Sequence, residues 1–162
     1  MPAFYFPAPK YQGRTDMDAL ERLQIIREIE ELSIDYWHDV DTNWGKNAHD
    51  YYTEDGSYTT SLKTRTGRAA IKEFYESRES RGDRVARHLI SNHKITIHNR
   101  NHVTAVWILS LFAADGQPVL PSKPAIMMAD VHDYILRGPD GRWRYKSRII
   151  KPLFRDDTPT TG

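Results

Sequence analysis

Cysteine is absent from the 162 residues, which excludes disulfides, thiolate chemistry and cysteine-based metal sites and fits a reducing compartment. No apolar run approaches the roughly 18 residues that mark a membrane helix. The aromatic group Phe4-Tyr5-Phe6 is short and broken by Pro2, Pro7 and Pro9, so no signal peptide is expected either. Charge of one sign is also missing: 23 basic residues stand against 22 acidic ones, and the basic stretch from Arg78 to Arg87 is interrupted by Glu79 and Asp83. Such a balance leaves no electrostatic footprint for nucleic acid. Internal repeats and low-complexity tracts are lacking. With 39% hydrophobic and 28% charged residues, the chain suffices for one compact domain with its own core, cytoplasmic by default, and is too short for two.

Helical periodicity comes first. From Asp16 to about Val40, apolar side chains recur at Leu20, Leu23, Ile26, Ile29, Leu32, Tyr36 and Val40, in steps of three or four that define one buried helical face. Thr15 or Asp16 can cap the start, and Asp18 and Glu21 suit the positive end of the helix dipole. Lys46 to Tyr52 reads as a short second helix, Ser57 to Leu62 as a strand, and Gly67 to Ser77 as a third helix with Ala70, Ile71, Phe74 and Tyr75 inward. Three long strands are expected at His88–His98, Val103–Ala114 and Ala125–Arg137, and a last one at Trp143–Ile150. Helices followed by a meandering sheet indicate an α+β fold. The domain is expected over residues 16–154, between an extension at 1–15 and a disordered tail at 155–162.

Asp41 follows the first helix where the helix is expected to fray into Thr42-Asn43, so its carboxylate can look into the interior. The polar pair Arg87-His88 lies far enough along the chain to be brought to it by folding. Asp39, one turn after Asp35, reads instead as part of a solvated helix face, and Asp55-Gly56 as a turn leading into the first strand.

Several stretches in fixed order resemble a family. They are Tyr36-Trp37-His38-Asp39-Val40-Asp41, Tyr51-Tyr52-Thr53-Glu54-Asp55-Gly56-Ser57-Tyr58, Gly67-Arg68-Ala69-Ala70-Ile71, Arg87-His88-Leu89-Ile90-Ser91-Asn92 and Asp140-Gly141-Arg142-Trp143. Together they are similar to the SnoaL-like branch of the nuclear transport factor 2-like superfamily, over roughly residues 16–152. The resemblance implies a cone: a strongly curved mixed sheet around about three helices, with an apolar pocket inside. It also implies kinship with scytalone dehydratase, a bile acid dehydratase, a dehydrochlorinase of chlorinated cyclohexanes, and lyases that release formaldehyde from lignin-derived diarylpropanes. The working pair of such enzymes falls on Asp41 and His88, an associated tyrosine on Tyr36, and an arginine of the last strand on Arg148. The chain departs from the dehydratase pattern at Leu111, where an additional acid or histidine is expected.

The residue chemistry leads in the same direction. A histidine titrates near neutrality, and a buried aspartate accepting its second N–H fixes the tautomer and stabilises the imidazolium, so neither a metal nor an organic cofactor is required. Tyr36, Tyr58 or Arg148 can hydrogen-bond the oxygen on which charge develops. The expected function is a dehydratase-type lyase acting on an apolar, aromatic or phenolic small molecule, with Tyr58, Trp107, Arg148, Leu111, Phe74 and Arg78 as substrate-binding candidates. Each has a plainer reading: Tyr36 and Trp107 as core, Arg148 as a salt-bridge partner, Arg78 as an exposed helix-end cation. His93, His98 and His102 lack metal-ligand spacing, and no metal site is expected. Two other classes stay open: a noncatalytic small subunit of a ring-hydroxylating oxygenase, and a ligand-binding module. A homo-oligomer, dimer or trimer, is expected, with Phe4 to Tyr11 as a strap over a neighbour or the pocket mouth.

Overall fold

The computed structural model describes residues 17–61 and 63–158. Helix α1 spans Ala19–Thr42, and the Asp18 carboxylate caps it by accepting the Glu21 N–H at 2.8 Å. A 3₁₀ turn, Ala48–Tyr51, stands where the second helix was expected, and helix α2 spans Arg68–Glu79. Six strands follow one another as β1 Tyr52–Thr59, β2 Thr64–Thr66, β3 Arg84–Asn99, β4 His102–Asp115, β5 Met127–Arg137 and β6 Trp143–Arg155. They form one open mixed sheet in the order β2-β1-β6-β5-β4-β3. All neighbours are antiparallel except β1 and β6, which run parallel. The α+β cone expected from the sequence is the observed fold. Among the described residues, no helix is long and apolar enough to cross a membrane.

The sheet buries one face. Val103, Ala105, Trp107, Leu109 and Leu111 alternate inward along β4, as do Ala129, Val131, Asp133 and Ile135 along β5. Strand β3 needs a correction to stay in this scheme. Asn92 adopts φ 54°, and the β3–β4 register slips between Ser91 and Lys94, so a bulge resets the pleat. Ahead of the bulge, Ala86, His88 and Ile90 alternate toward the interior; beyond it, Ile95 and Ile97 pack against the core. A second irregularity lies in β1, between Tyr52 and Ser57. Asp55-Gly56 belongs to this bulge and not to a turn before the strand. A side chain at Gly56 would stand 2.9 Å from the Tyr145 carbonyl oxygen, so only glycine lets β1 close on β6 there.

Other boundaries moved for physical reasons. Leu20 and Leu23 are 65% and 62% exposed, contrary to the expected face of α1. The face that packs is Ile25, Ile29, Ser33, Tyr36, Trp37 and Val40, and at about 100° per residue Leu23 lies about 200° round the helix from Ile25. Strand β2 pairs three residues with β1 and had no sequence signal. Strand β6 continues through Arg155, and Thr158 donates its N–H to the Asp156 carboxylate, so the first part of the expected tail is placed. The proposed strap at Phe4 to Tyr11 lies outside the described residues.

Candidate active site

Asp39 is buried and organises the end of α1, so it does not lie on a solvated face. Its carboxylate accepts the Asn43 Nδ2–H at 2.8 Å and both the backbone and side-chain N–H groups of Asn47 at 3.0 Å, while its carbonyl accepts the Gly45 N–H at 3.0 Å. These bonds tie down the loop after α1 and press Gly45, at φ 71°, against the ring of Tyr75. Two residues on, Asp41 turns toward β3.

Asp41 uses both carboxylate oxygens on one residue. Oδ1 lies 2.6 Å from His88 Nδ1, and Oδ2 accepts the His88 backbone N–H at 2.8 Å. A carboxylate accepting at Nδ1 fixes that nitrogen as the protonated one and leaves Nε2 with its lone pair. Arg87 Nη1 donates to the Asp41 carbonyl at 3.3 Å, so the helix end is held on the strand from both sides. Trp37, one turn before Asp41, stacks on the imidazole at 4.1 Å between centroids and 19° between planes. Burial holds the His88 pKa below its usual value; the Asp41 carboxylate opposes this, and the Arg78 and Arg148 charges reinforce it.

His88 lines a cleft of about 630 Å³, its open mouth included, together with Trp37, Val40, Tyr58, Phe74, Tyr75, Arg78, Leu109 and Leu111. The register places Leu111 directly across from His88, so no acid flanks the imidazole on β4. From the cleft wall inward, tyrosine hydroxyls form a chain: Tyr36 bonds Tyr75 at 2.5 Å and Tyr52 at 3.1 Å, and the Tyr75 ring stacks on Tyr58, 6.2 Å between centroids. Burial raises the pKa of all four, which keeps the hydroxyls neutral and able to donate.

Arg148 is fully buried beneath this layer. Its Nε and Nη2 each donate to Asp133 at 2.8 Å, and its guanidinium carbon lies 3.8 Å from the Tyr145 ring centre, 4.4 Å from Tyr36 and 5.0 Å from Trp107.

The structure therefore sorts the candidates by position. Asp41 and His88 are brought together, and Tyr58, Phe74, Arg78 and Leu111 share the cleft wall with His88. Tyr36, Trp107 and Arg148 lie one layer behind it, among core residues. Arg78 is only 7% exposed, unlike the exposed cation of the plainer sequence reading. Trp37 and Tyr75 were not singled out as site residues. The signal for Trp37 was its place four residues before Asp41, on the same helical face; Tyr75 carried only its inward position on α2. Among the described residues, no three His, Asp or Glu side chains converge as a metal site. His98 and His102 stack on each other, and His93 packs on Trp107.

The model of the SnoaL-like domain family matches residues 21–149. No curated relative matches the chain by sequence. Among solved structures, the chain is similar to a scytalone dehydratase-like protein from Novosphingobium aromaticivorans, with 21% identity and TM-score 0.76 over 88% of this chain and 93% of that one. ActVI-ORFA from Streptomyces coelicolor matches with 20% identity and TM-score 0.69, over 80% and 98% of the two chains. A Catenulispora acidiphila protein solved in complex with S-DNPA matches with 22% identity and TM-score 0.65, over 80% and 94%. At these identities the structural matches establish a shared fold.

Proposed function

Because the chain belongs to the SnoaL-like domain family, whose fold includes cofactor-free dehydratases and cyclases, we propose that it is a cofactor-independent lyase that uses Asp41 and His88 on an apolar, aromatic or phenolic small molecule. The carrying observation is the 2.6 Å contact between His88 Nδ1 and Asp41, which leaves Nε2 as the free basic nitrogen on the wall of a mainly apolar cleft. A neutral imidazole on such a wall is a competent base near neutral pH, and the carboxylate behind it stabilises the cation formed as it takes a proton.

In a dehydration, Nε2 removes a proton from carbon, the freed electron pair forms the new double bond, and the hydroxyl group leaves. With Leu111 opposite His88, the imidazolium is the acid best placed to return its proton to the departing oxygen, giving water and regenerating the base. Tyr58 and Tyr75 remain protonated and suit hydrogen bonding to an oxygen that gains charge, not proton abstraction. The same base can deprotonate a hydroxymethyl group; its carbon–carbon bond then breaks to release formaldehyde, and the electron pair of that bond forms a new double bond as a hydroxyl on the next carbon leaves as water with the imidazolium's proton.

Mass spectrometry of the purified protein with hydroxylated aromatic dimers and cyclic alcohols tests this reading, beside Asp41→Asn and His88→Ala. Loss of water, halide or formaldehyde is expected in the wild type and not in His88→Ala. Conversion that survives His88→Ala undiminished refutes the assignment.

A further inference from the structure

Arg78 occupies the last turn of α2 and is only 7% exposed, yet among the described residues no carboxylate pairs with it. Its Nε is wholly shielded from solvent and makes no hydrogen bond among the described residues. The Tyr75 ring centre lies 5.3 Å from its guanidinium carbon. The contrast with Arg148 is direct: that buried guanidinium donates twice to Asp133, and no equivalent pair holds Arg78 among the described residues.

The surroundings do not neutralise it. Arg84 and Arg155 also border the cleft, and no aspartate or glutamate lines it among the described residues. Asp115 lies by Arg84, at 3.3 Å. Asp41 borders a side cavity shared with Arg78 and Arg84, but both of its oxygens are engaged by His88. A helix C-terminus supplies only a fraction of a negative charge. A buried cation without a counter-charge is costly, and the residue types on the wall leave the counter-charge to come from the cleft's occupant.

We propose that Arg78 receives an oxyanion of the substrate, a carboxylate or phenolate carried on an apolar aromatic body, so that the enzyme's substrates are organic anions. The inference rests on the cleft being the substrate site and specifies the class of molecule that enters it. The planar fork of the guanidinium suits a two-oxygen carboxylate best, and a phenolate oxygen engages one arm of it. The charge of Arg78 adds to burial, the larger cause, in lowering the His88 pKa.

The test uses inert probes, so that it is independent of turnover. Binding of trans-cinnamate and its neutral isostere cinnamide, and of 4-nitrophenolate and 4-nitroanisole, is measured by calorimetry on wild type, Arg78→Met, Arg78→Gln and Asp41→Asn. In the wild type, the anion of at least one pair binds about tenfold to a hundredfold more tightly than its neutral partner, and the pair that shows it identifies carboxylate or phenolate. In Arg78→Met and Arg78→Gln that preference disappears while the neutral probe binds as before, which also shows that the cleft has kept its shape. Asp41→Asn retains the preference, which separates this inference from the fate of the lyase reading. Equal binding of anion and isostere by the wild type in both pairs overturns the proposal, as does a preference that survives both Arg78 substitutions.

Discussion

Replacing Asp133 by asparagine removes the counter-charge of a guanidinium that has no exposure to solvent. The two 2.8 Å bonds from Arg148 Nε and Nη2 need two acceptor oxygens, and an amide offers one, turning an N–H₂ group toward a cation. Breaking a buried ion pair from one side typically costs about 3–5 kcal/mol. The rings of Tyr36, Trp37, Trp107 and Tyr145 all lie within 5.4 Å of the guanidinium carbon and still attract the charge, which places the expectation at the low end, about 3 kcal/mol. For a chain of this length that is about 6–12 °C in Tm. Urea unfolding followed by tryptophan fluorescence measures it. The paired replacement Asp133→Leu with Arg148→Met removes both charges and is expected to recover most of the loss, since an apolar pair of similar volume is often neutral or stabilising. A loss below about 1 kcal/mol for Asp133→Asn, or a double variant no better than the single one, refutes the view of Arg148 as a structural cation.

Two further outcomes follow from the site. His88 is held below its unfolded pKa, so the unfolded chain binds the proton more readily; stability is complete above about pH 6.5 and declines as pH falls from there toward the folded value. His93, His102 and His132 are lowered too, so the part due to His88 is the difference in acid sensitivity between wild type and His88→Asn in urea unfolding at pH 5 and 7.5. No difference would mean that burial does not disfavour the charged imidazole. Gly45→Ala would put a Cβ 2.3 Å from the Tyr75 ring at a positive φ, and is expected to cost about 2–5 kcal/mol from backbone strain and overpacking together. A melting temperature within 2 °C of wild type, about the effect of under 1 kcal/mol, would show that the Asp39-bound loop yields freely.

The sequence revealed elements wherever one face is buried with a regular period. The run from Val103 to Leu111 shows period two, and Ile25 to Val40 shows the helical step, so β4 and most of α1 were legible. Features set by chain segments remote in sequence were not. Nothing near Asp39 announces that Asn43 and Asn47 will fold back onto its carboxylate, and a lone acid on a helix is ordinarily solvated. Leu20 and Leu23 fit the helical period, but which arc packs is decided by the sheet underneath. The bulge at Asn92 has no local signature beyond a residue type that tolerates a positive φ. The pairing of Asp41 with His88 was legible through motif order. The depth of Arg148, in contrast, depends on Asp133, whose inward position follows from the β5 pleat. Arg78, at a helix end inside a run of charged residues, has the sequence surroundings of an exposed cation, yet the last turn of α2 carries it inward.

The parallel pairing of β1 with β6 has a consequence for how the molecule is made. Tyr52 sits beside Tyr145, so the first long-range partner of the early strand is synthesised almost last. Pairings between distant segments form slowly, because the intervening chain must be ordered before the contact stabilises anything. The antiparallel run β3-β4-β5 can assemble from neighbours as it leaves the ribosome, whereas β1 and β2 must wait for Trp143–Arg155 to bridge them to it. The nascent chain thus carries an unpaired strand edge through most of its synthesis, and the interval before β6 arrives is when it is most exposed to aggregation and in greatest need of a chaperone.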